Sequence, residues 1–328
     1  MLKQVQHDEK MENKLKIVFM GTPEFAVASL DILMKNKYNV VGVITSPDKP
    51  AGRGQEIHQS AVKKYATEKG LKVLQPEKLK DEKFIAELKS LNADLQIVVA
   101  FRMLPEIVWS MPKLGTFNLH ASLLPHYRGA APINWAIING EKETGVTTFF
   151  LQHEIDTGKI IFQQKTSIEE DETAGELHDK LMSVGADLVL KTVKAIESKT
   201  YPQNPQPEIE ELKSAPKIFK EDCKIHWNGS PEKIHNFIRG LSPYPGAHTE
   251  FISPDGKRYS VKIFSEKPES TPDFLPPSQI ICDNDASLKI SCNKGIINIT
   301  ELQLAGKKRM YVKEFLKGFR IEKGWKVS

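Results

Sequence analysis

The sequence predicts an α/β domain built on a mostly parallel sheet, followed by a linker and a smaller β-barrel domain. Apolar runs rich in β-branched residues at 15–20 and 39–45 are typical of strands buried on both faces of a parallel sheet. Four prolines stand among polar residues between Tyr201 and Pro216, which indicates a semi-rigid linker. After the linker, short apolar segments separated by turns favour a small barrel.

The first domain begins with a βαβ unit. The turn after the first strand predicts a helix with Thr22 as its N-cap and Pro23 as its first residue, running to about Lys35. A second strand follows at 39–45, and this order is typical of a Rossmann-like sheet. The dinucleotide fingerprint G-x-G-x-x-G is absent from the turn, which argues against a nicotinamide enzyme.

The remaining elements follow from the same periodicities. Further strands are predicted at 72–74, 95–101, 114–119, 145–151 and 160–164, and helices at 61–69, 80–91, 105–111, 132–139 and 173–198. The strand at 145–151 can pair antiparallel, and Thr173 with Glu176 forms a capping box for the last helix. In the second domain, one helix at 232–240 is accompanied by strands predicted at 224–227, 247–252, 259–264, 288–291 and 296–304.

These elements divide the 328 residues into a polar leader at 1–14 that we expect to be disordered, an α/β domain at 15–200, the linker at 201–217 and the barrel domain at 218–328. No apolar run approaches the roughly 20 residues that cross a bilayer. The three cysteines lack metal-ligand spacing and are expected as free thiols in a reducing cytoplasm. We expect a cytoplasmic monomer that uses neither a metal nor a membrane.

Two polar side chains stand at the end of the central apolar run. Asn118 and His120 are two residues apart, so in a strand they project from the same face at its carboxyl end, where ligands bind in open α/β sheets. Asp156 lies in a later turn and adds a carboxylate if that turn folds back over the pair. The alternatives are a turn-forming asparagine, a buried histidine with satisfied hydrogen bonds and a solvated turn.

The set Asn118, His120 and Asp156 contains no strong nucleophile, and the adjacent Ser122 lacks the flanking glycines of a nucleophile elbow. An amide, an imidazole and a carboxylate suit acyl transfer to a nucleophile that the substrate itself supplies. The amide and a protonated His120 would donate hydrogen bonds to the oxygen that becomes negative, and losing one such donor costs about 10²–10³ in rate. Asp156 would stabilise the imidazolium and fix its ring, or position a proton-carrying water.

Two basic stretches favour a large anionic partner, although the formal net charge of +4 alone is too small to identify one. Residues 46–60 form a long polar stretch that carries Lys49 and Arg53, which indicates either a solvated loop or a basic finger. From Lys307 to Ser328, eight Lys or Arg stand against two Glu. This surplus favours contact with a phosphate backbone, and the alternative is a solubilising surface.

Several segments carry a resemblance to known proteins: GTPEFA (21–26), PDKPAGRG (47–54), NLHASLLPHYRGAAPINWAI (118–137), IDTG (155–158), SPYPGAH (242–248) and LAGKKRM (304–310). Together they resemble the folate-dependent formyltransferase family and, within it, the methionyl-tRNA formyltransferases. The resemblance extends over nearly the whole chain.

The resemblance implies a reaction and its site. The α-amine of initiator methionyl-tRNA would attack the formyl carbon of 10-formyltetrahydrofolate, with Asn118, His120 and Asp156 as the catalytic set. The residues that would line the site of the folate co-substrate are Phe101, Arg102, Met103, Leu104, Ser122, Leu123, Leu124 and Pro125. The chain departs from the family pattern at 100–105, where AFRMLP with its arginine replaces a glycine-containing segment.

On the tRNA side, the resemblance implies an OB-like barrel and a basic loop that enters the acceptor arm. The residues that would contact tRNA are Lys49, Arg53, Lys307, Lys308 and Arg309. Formyltransferases acting on a sugar nucleotide or on glycinamide ribonucleotide would share the catalytic set, as would an enzyme that hydrolyses the formyl-folate. A non-catalytic OB-type RNA-binding protein is the alternative from another class.

Overall fold

The computed structural model describes residues 15–51, 56–271 and 275–328. Contacts divide the chain into two compact units. The first holds Met1–Arg128, Gly145–Thr166 and Asp179–Lys213, and the second holds Gly129–Thr144, Ser167–His178 and Ser214–Ser328. The leader predicted at 1–14 lies outside the described residues, and the domain limits drawn from the sequence stay a prediction.

The strands and helices can be given in chain order. The first ten strands are β1 (Lys16–Gly21), β2 (Asn39–Ile44), β3 (Lys49–Ala51), β4 (Glu56–His58), β5 (Val73–Leu74), β6 (Leu95–Val99), β7 (Thr116–His120), β8 (Arg128–Gly129), β9 (Glu143–Phe150) and β10 (Ile160–Ser167). They are followed by β11 (Ser214–Ala215), β12 (Ala247–Ile252), β13 (Arg258–Ser270), β14 (Ile280–Cys282), β15 (Leu288–Cys292), β16 (Gly295–Leu304), β17 (Met310–Tyr311) and β18 (Lys326–Val327). The α-helices are Glu24–Lys35, Ala61–Glu68, Glu82–Ser90, Glu106–Trp109, Pro132–Ile138, Ala174–Glu197, Pro231–Leu241 and Val312–Leu316.

Within the described residues, seven strands form the α/β sheet in the order β10-β9-β7-β6-β1-β2-β5. The neighbours from β7 to β5 run parallel, and β9 pairs antiparallel with β7. The predicted mostly parallel sheet and its antiparallel strand are therefore confirmed. In β1, Ile17, Val18 and Phe19 are fully buried, as expected of a strand covered on both faces.

The sequence predicted the starts of two helices, and the structure confirms one of them. The capping box is confirmed, since the Glu176 carboxylate accepts from the Thr173 backbone N–H at 2.8 Å and the Thr173 hydroxyl accepts from the Glu176 N–H at 3.3 Å. The N-cap predicted at Thr22 is wrong, because Pro23 takes that position without a side-chain cap. The Thr22 hydroxyl instead lies 3.0 Å from the hydroxyl of Ser46, just after β2.

The polar stretch 46–60 contains regular structure, unlike the plain loop that its composition suggested. Lys49 pairs with His58 and Pro50 with Ile57, so β3 and β4 form an antiparallel hairpin. Residues 52–55, which include Arg53, lie outside the described residues.

The second unit contains the antiparallel barrel. Its strands lie in the order β14-β15-β16-β13-β12-β18, with β17 on β16, and a bridge between Gln279 and Lys326 joins the two ends. The predicted α/β-then-barrel fold class is therefore confirmed. The strand predicted at 224–227 is wrong, since this described stretch has only an isolated bridge from Lys224 to His248. Its alternation reflects Ile225 and Trp227, which are buried in the core of the unit.

Two further expectations concern cysteines and membranes. Cys223 and Cys292 are buried and Cys282 is half-buried, and all three are free thiols. Burial raises the pKa of Cys292 to about 11. Among the helices of the described ranges, none combines the length and the apolar character that crossing a bilayer requires.

A buried ion pair lies in the second unit. His235 is 7% exposed, and its Nδ1 lies 2.7 Å from Oε1 of Glu266, whose side chain is almost fully buried. The ring Nε2 donates to the backbone carbonyl of Glu170 at 3.1 Å and lies 3.7 Å from the Asp171 carboxylate. Burial lowers the pKa of His235 and nearby Arg239 opposes its charge, but the hydrogen bond and charge of Glu266 outweigh them, so the pKa is raised above 6.5.

The pKa of His235 is higher in the folded protein than in the unfolded chain. The interaction of His235 with Glu266 therefore makes its full contribution to the free energy of unfolding below about pH 6.5. That contribution is lost as the pH rises through the raised pKa of the folded protein, by about 1.4 kcal/mol for each pKa unit between the two states.

We expect the urea midpoint to fall between about pH 6 and 9, and His235→Gln to flatten this dependence while destabilising the protein by about 3–5 kcal/mol. His226→Gln, at an exposed position, is the control. A pH dependence that survives His235→Gln would contradict this account.

Candidate active site

The carboxyl end of β7 positions Asn118 and His120. Both lie on one face of the strand, Asn118 half-buried and His120 6% exposed. On the opposite face, Leu119 packs so closely on the helix Ala174–Glu197 that a Cβ at Gly185 would lie 2.8 Å from its Cδ2. Strand β7 is also held by β6 and β9 on its two sides, so its tip is a rigid support.

The His120 ring is oriented by a backbone carbonyl. Its Nε2 lies 2.7 Å from the carbonyl oxygen of Tyr127. A carbonyl can only accept, so Nε2 carries a proton and donates. In the neutral imidazole, Nδ1 is therefore the nitrogen that holds a lone pair for chemistry.

Asp156 does fold back over this pair. Its Oδ2 lies 3.9 Å from Nδ1 of His120, and the Asp156 side chain is 14% exposed. This distance is within reach of an ion pair but longer than a direct hydrogen bond. The carboxylate thus stands where it can stabilise positive charge on the ring.

Backbone strain marks the same place. Tyr127 and Asp156 both have left-handed backbones, with φ of 60° and 55°. A non-glycine residue in this region costs on the order of 1–3 kcal/mol and persists where its surroundings over-determine it. Nearby, Gly158 packs against the Phe150 backbone, where an added Cβ would lie 1.6 Å from the carbonyl oxygen. The turn that carries Asp156 is thereby fixed at Gly158.

The Asn118 carboxamide makes no hydrogen bond to any described residue. The neighbouring His120 already uses its Nε2 in the hydrogen bond to the Tyr127 carbonyl. The N–H groups of the Asn118 carboxamide are therefore available to an oxygen that a substrate brings to the face of β7.

The segment Ser122 to Pro125 is built around the hydroxyl of Thr147. That hydroxyl donates to the Ser122 carbonyl at 2.6 Å and accepts from the Leu124 N–H at 3.1 Å. The Ser122 hydroxyl donates to the His126 carbonyl at 2.7 Å, so it is used within the turn. Leu123 is half-buried, whereas Leu124 and Pro125 are buried.

The segment Phe101 to Leu104 lies beyond the end of β6. Arg102 donates to the carbonyls of Pro76 and Glu77, the latter at 2.8 Å, and its guanidinium lies 5.6 Å from the centre of the Phe101 ring. Burial lowers its pKa. Arg102, the residue that departs from the family pattern, therefore connects this segment to the backbone of Pro76 and Glu77.

An open cavity of about 790 Å³ adjoins this segment and is lined in part by Met103, Leu104 and Ile107. Met103 is 71% exposed and Ile107 55% exposed. Asn118, His120 and Asp156 do not line this cavity. Exposed apolar side chains of this kind suit an aromatic ligand.

The basic residues differ in their surroundings. Lys49 on β3 and Lys307 and Lys308 after β16 are exposed. Arg309 instead forms a two-point pair with the Glu301 carboxylate, at 2.5 and 2.6 Å, and lies 4.4 Å from the centre of the Phe264 ring. In the ranges that the structure describes, no group of His, Cys, Asp and Glu could hold a metal ion.

Sequence reasoning missed three residues that organise this site: Tyr127, Thr147 and Gln206. Tyr127 acts through a backbone carbonyl and Thr147 through a buried hydroxyl, and neither pattern has a sequence signature. Gln206, whose side-chain amide donates to the backbone carbonyls of Asp156 and Gly158, stands in the proline-rich stretch that composition marks only as a linker.

Comparison with known proteins identifies the family. The chain matches the formyl transferase family over residues 15–193 and the formyl transferase C-terminal domain over residues 217–320. The chain belongs to the formyl transferase family. The expected resemblance is therefore confirmed at the level of the family.

Relatives are similar over nearly the full length. The methionyl-tRNA formyltransferase of Bacteroides thetaiotaomicron is 55% identical over 317 residues, which is 96% of this chain and 98% of that protein. That of Phocaeicola vulgatus is 57% identical over 324 residues, 97% of this chain and 100% of that protein. Among solved structures, an N-formyltransferase from Helicobacter canadensis in complex with folinic acid and dTDP-3-aminofucose is 25% identical, with a TM-score of 0.59 and coverage of 87% of this chain and 98% of that one.

Proposed function

We propose that this formyltransferase transfers the formyl group of 10-formyltetrahydrofolate to the α-amine of methionyl-tRNA, producing the initiator N-formylmethionyl-tRNA. The observation that carries the proposal is the identity of 55% and 57% to methionyl-tRNA formyltransferases over essentially whole chains. The N-formyltransferase of Helicobacter canadensis, solved in complex with folinic acid and dTDP-3-aminofucose, stands much further away in sequence, at 25% identity.

The reaction needs a place for negative charge and a route for one proton. The amine attacks the formyl carbon, a C–N bond forms, and the formyl oxygen becomes negative. The Asn118 carboxamide donates to that oxygen, which is worth about 10²–10³ in rate. As the bond from the formyl carbon to N10 breaks, N10 gains one proton and the attacking amine has lost one.

His120 carries that proton in our proposal. Its Nε2 is engaged by the Tyr127 carbonyl, so Nδ1 accepts the proton from the amine and returns one to the leaving nitrogen. Asp156, 3.9 Å from Nδ1, stabilises the imidazolium while the proton is held. This role replaces the sequence-based hypothesis that a protonated His120 donates to the oxygen.

The folate co-substrate is proposed to lie along Phe101 to Leu104 and Ser122 to Pro125. Exposed apolar side chains offer surface for its ring system: Met103 on the first segment, Ile107 in the helix that follows it and Ile155 in the Asp156 turn. Because the Ser122 hydroxyl donates within its own turn, we propose that this segment shapes the site through its backbone. No step requires a metal.

For the tRNA, we propose phosphate contacts by Lys49 on β3, by Arg53, and by Lys307 and Lys308 after β16. Arg309 would contribute less than a free arginine, since Glu301 compensates its charge. One chain supplies the whole proposed catalytic set, so we propose that the protein acts as a monomer. We also propose that it acts in the cytoplasm, in translation initiation.

Asn118→Ala and His120→Ala are each expected to lower kcat for formyl transfer by about 10²-fold or more, because each removes a group that acts only on the reacting atoms. The measurement is formylation of methionyl-tRNA, with binding of the tRNA followed separately and expected to be nearly unchanged. Asn39→Ala, at an exposed position on β2, is the matched control. Normal turnover in either catalytic variant would exclude the proposed site, and formylation of a dTDP-amino sugar in place of methionyl-tRNA would exclude the proposed substrate.

Lys308→Ala is expected to lower the slope of log KM for tRNA against log salt by about 1, since one phosphate contact is lost. Arg309→Gln is expected to change the slope by clearly less, because its partner Glu301 already neutralises it. The measurement is KM between about 50 and 200 mM salt. Equal changes in the two variants would contradict the assignment of free and compensated charges.

A further inference from the structure

One side chain from the linker reaches the turn that carries Asp156. The Gln206 amide nitrogen Nε2 donates to the backbone carbonyl of Asp156 at 2.7 Å and to that of Gly158 at 2.9 Å. Gln206 is half-buried and lies 50 positions from Asp156 in the chain. Two of the four residues of the IDTG segment are therefore held by one side chain.

The orientation of this amide is itself fixed. Its Oε1 accepts from Nε of Arg128 at 3.2 Å and from Nη2 at 2.5 Å. A guanidinium only donates, so the oxygen must face Arg128 and the nitrogen must face the two carbonyls. Arg128 thus sets the direction in which Gln206 donates.

The same linker also holds the residue that orients His120. The Tyr127 N–H donates to the carbonyl of Lys213 at 2.5 Å, and the Lys213 N–H donates to Nδ1 of His126 at 3.4 Å. Further along, Asn204 exchanges two backbone hydrogen bonds with Ile160, at 2.8 and 3.0 Å. Both left-handed residues of the site, Tyr127 and Asp156, are therefore bound to the stretch between Asn204 and Lys213.

We infer that Gln206 is a positioning residue for the formyl transfer proposed above, on which this inference rests. It holds the Asp156 carboxylate at its distance from His120 by clamping the backbone on both sides of the turn. Without the clamp, the strained backbone of Asp156 relaxes and the carboxylate leaves the ring.

The test compares two glutamines of one linker. Gln206→Met keeps the length of the side chain but removes both donors and the acceptor, and Gln206→Glu keeps the acceptor for Arg128 but removes both donors. Gln203, exposed three positions earlier, receives the same substitutions as the matched control. Steady-state kinetics gives kcat and KM for methionyl-tRNA, and hydrogen exchange by mass spectrometry follows the peptide covering residues 153–160.

We expect both Gln206 variants to lower kcat by about 10- to 100-fold, since a displacement of about 1 Å in catalytic groups has this effect. KM for methionyl-tRNA should stay within about twofold, and exchange in 153–160 should quicken at least several-fold. The Gln203 variants should match the original protein in all three. A kcat within twofold of the original, or a lowered kcat with unchanged exchange, overturns the inference.

The exchange measurement needs no substrate. If the original protein fails to formylate methionyl-tRNA, the proposed function fails, while quicker exchange in the Gln206 variants would still establish the clamp. If one variant does not fold, the other decides.

Discussion

The hydrogen bond from His120 Nε2 to the Tyr127 carbonyl is the interaction on which the site depends. It selects one tautomer of the ring and turns Nδ1 toward Asp156, 3.9 Å away. Without it, an imidazole at the tip of a strand could present either nitrogen to a substrate. Because the acceptor is a backbone carbonyl, its position depends on how the chain turns after β7 and on what holds that turn.

Two residues next to the imidazole have strained backbone conformations. Tyr127 and Asp156 come from different parts of the first unit, yet each has a left-handed backbone next to the imidazole. Such conformations are stable only where several contacts agree, and the stretch from Asn204 to Lys213 supplies contacts to both. A segment that looks like a plain tether in composition therefore acts as part of the support of the site.

Features of the fold that depend on short-range periodicity could be predicted from the sequence. The period of two residues in a strand put Asn118 and His120 on one face, and the β-branched runs identified the buried parallel strands. The same reasoning misassigned residues 224–227, because alternating burial of Ile225 and Trp227 in a core imitates a strand. It also misassigned the cap at Thr22, whose hydroxyl meets the distant Ser46.

What the patterns left open depends on contacts between residues far apart in the chain. The approach of Asp156 to His120 was conditional on a turn folding back, and the clamp by Gln206 joins positions for which no spacing rule exists. The tautomer of His120 follows from a carbonyl that any residue at position 127 would provide, so its side chain carries no signal.

The tautomer of His120 is the most direct test of this account. In ¹⁵N-histidine-labelled protein at a pH where the rings are neutral, NMR reports which ring nitrogen bears the proton, and His120→Gln identifies the signals by their loss. We expect a protonated Nε2 and an unprotonated Nδ1 for His120. A proton on Nδ1 and none on Nε2 would contradict it, since the Tyr127 carbonyl would then face a nitrogen with nothing to donate.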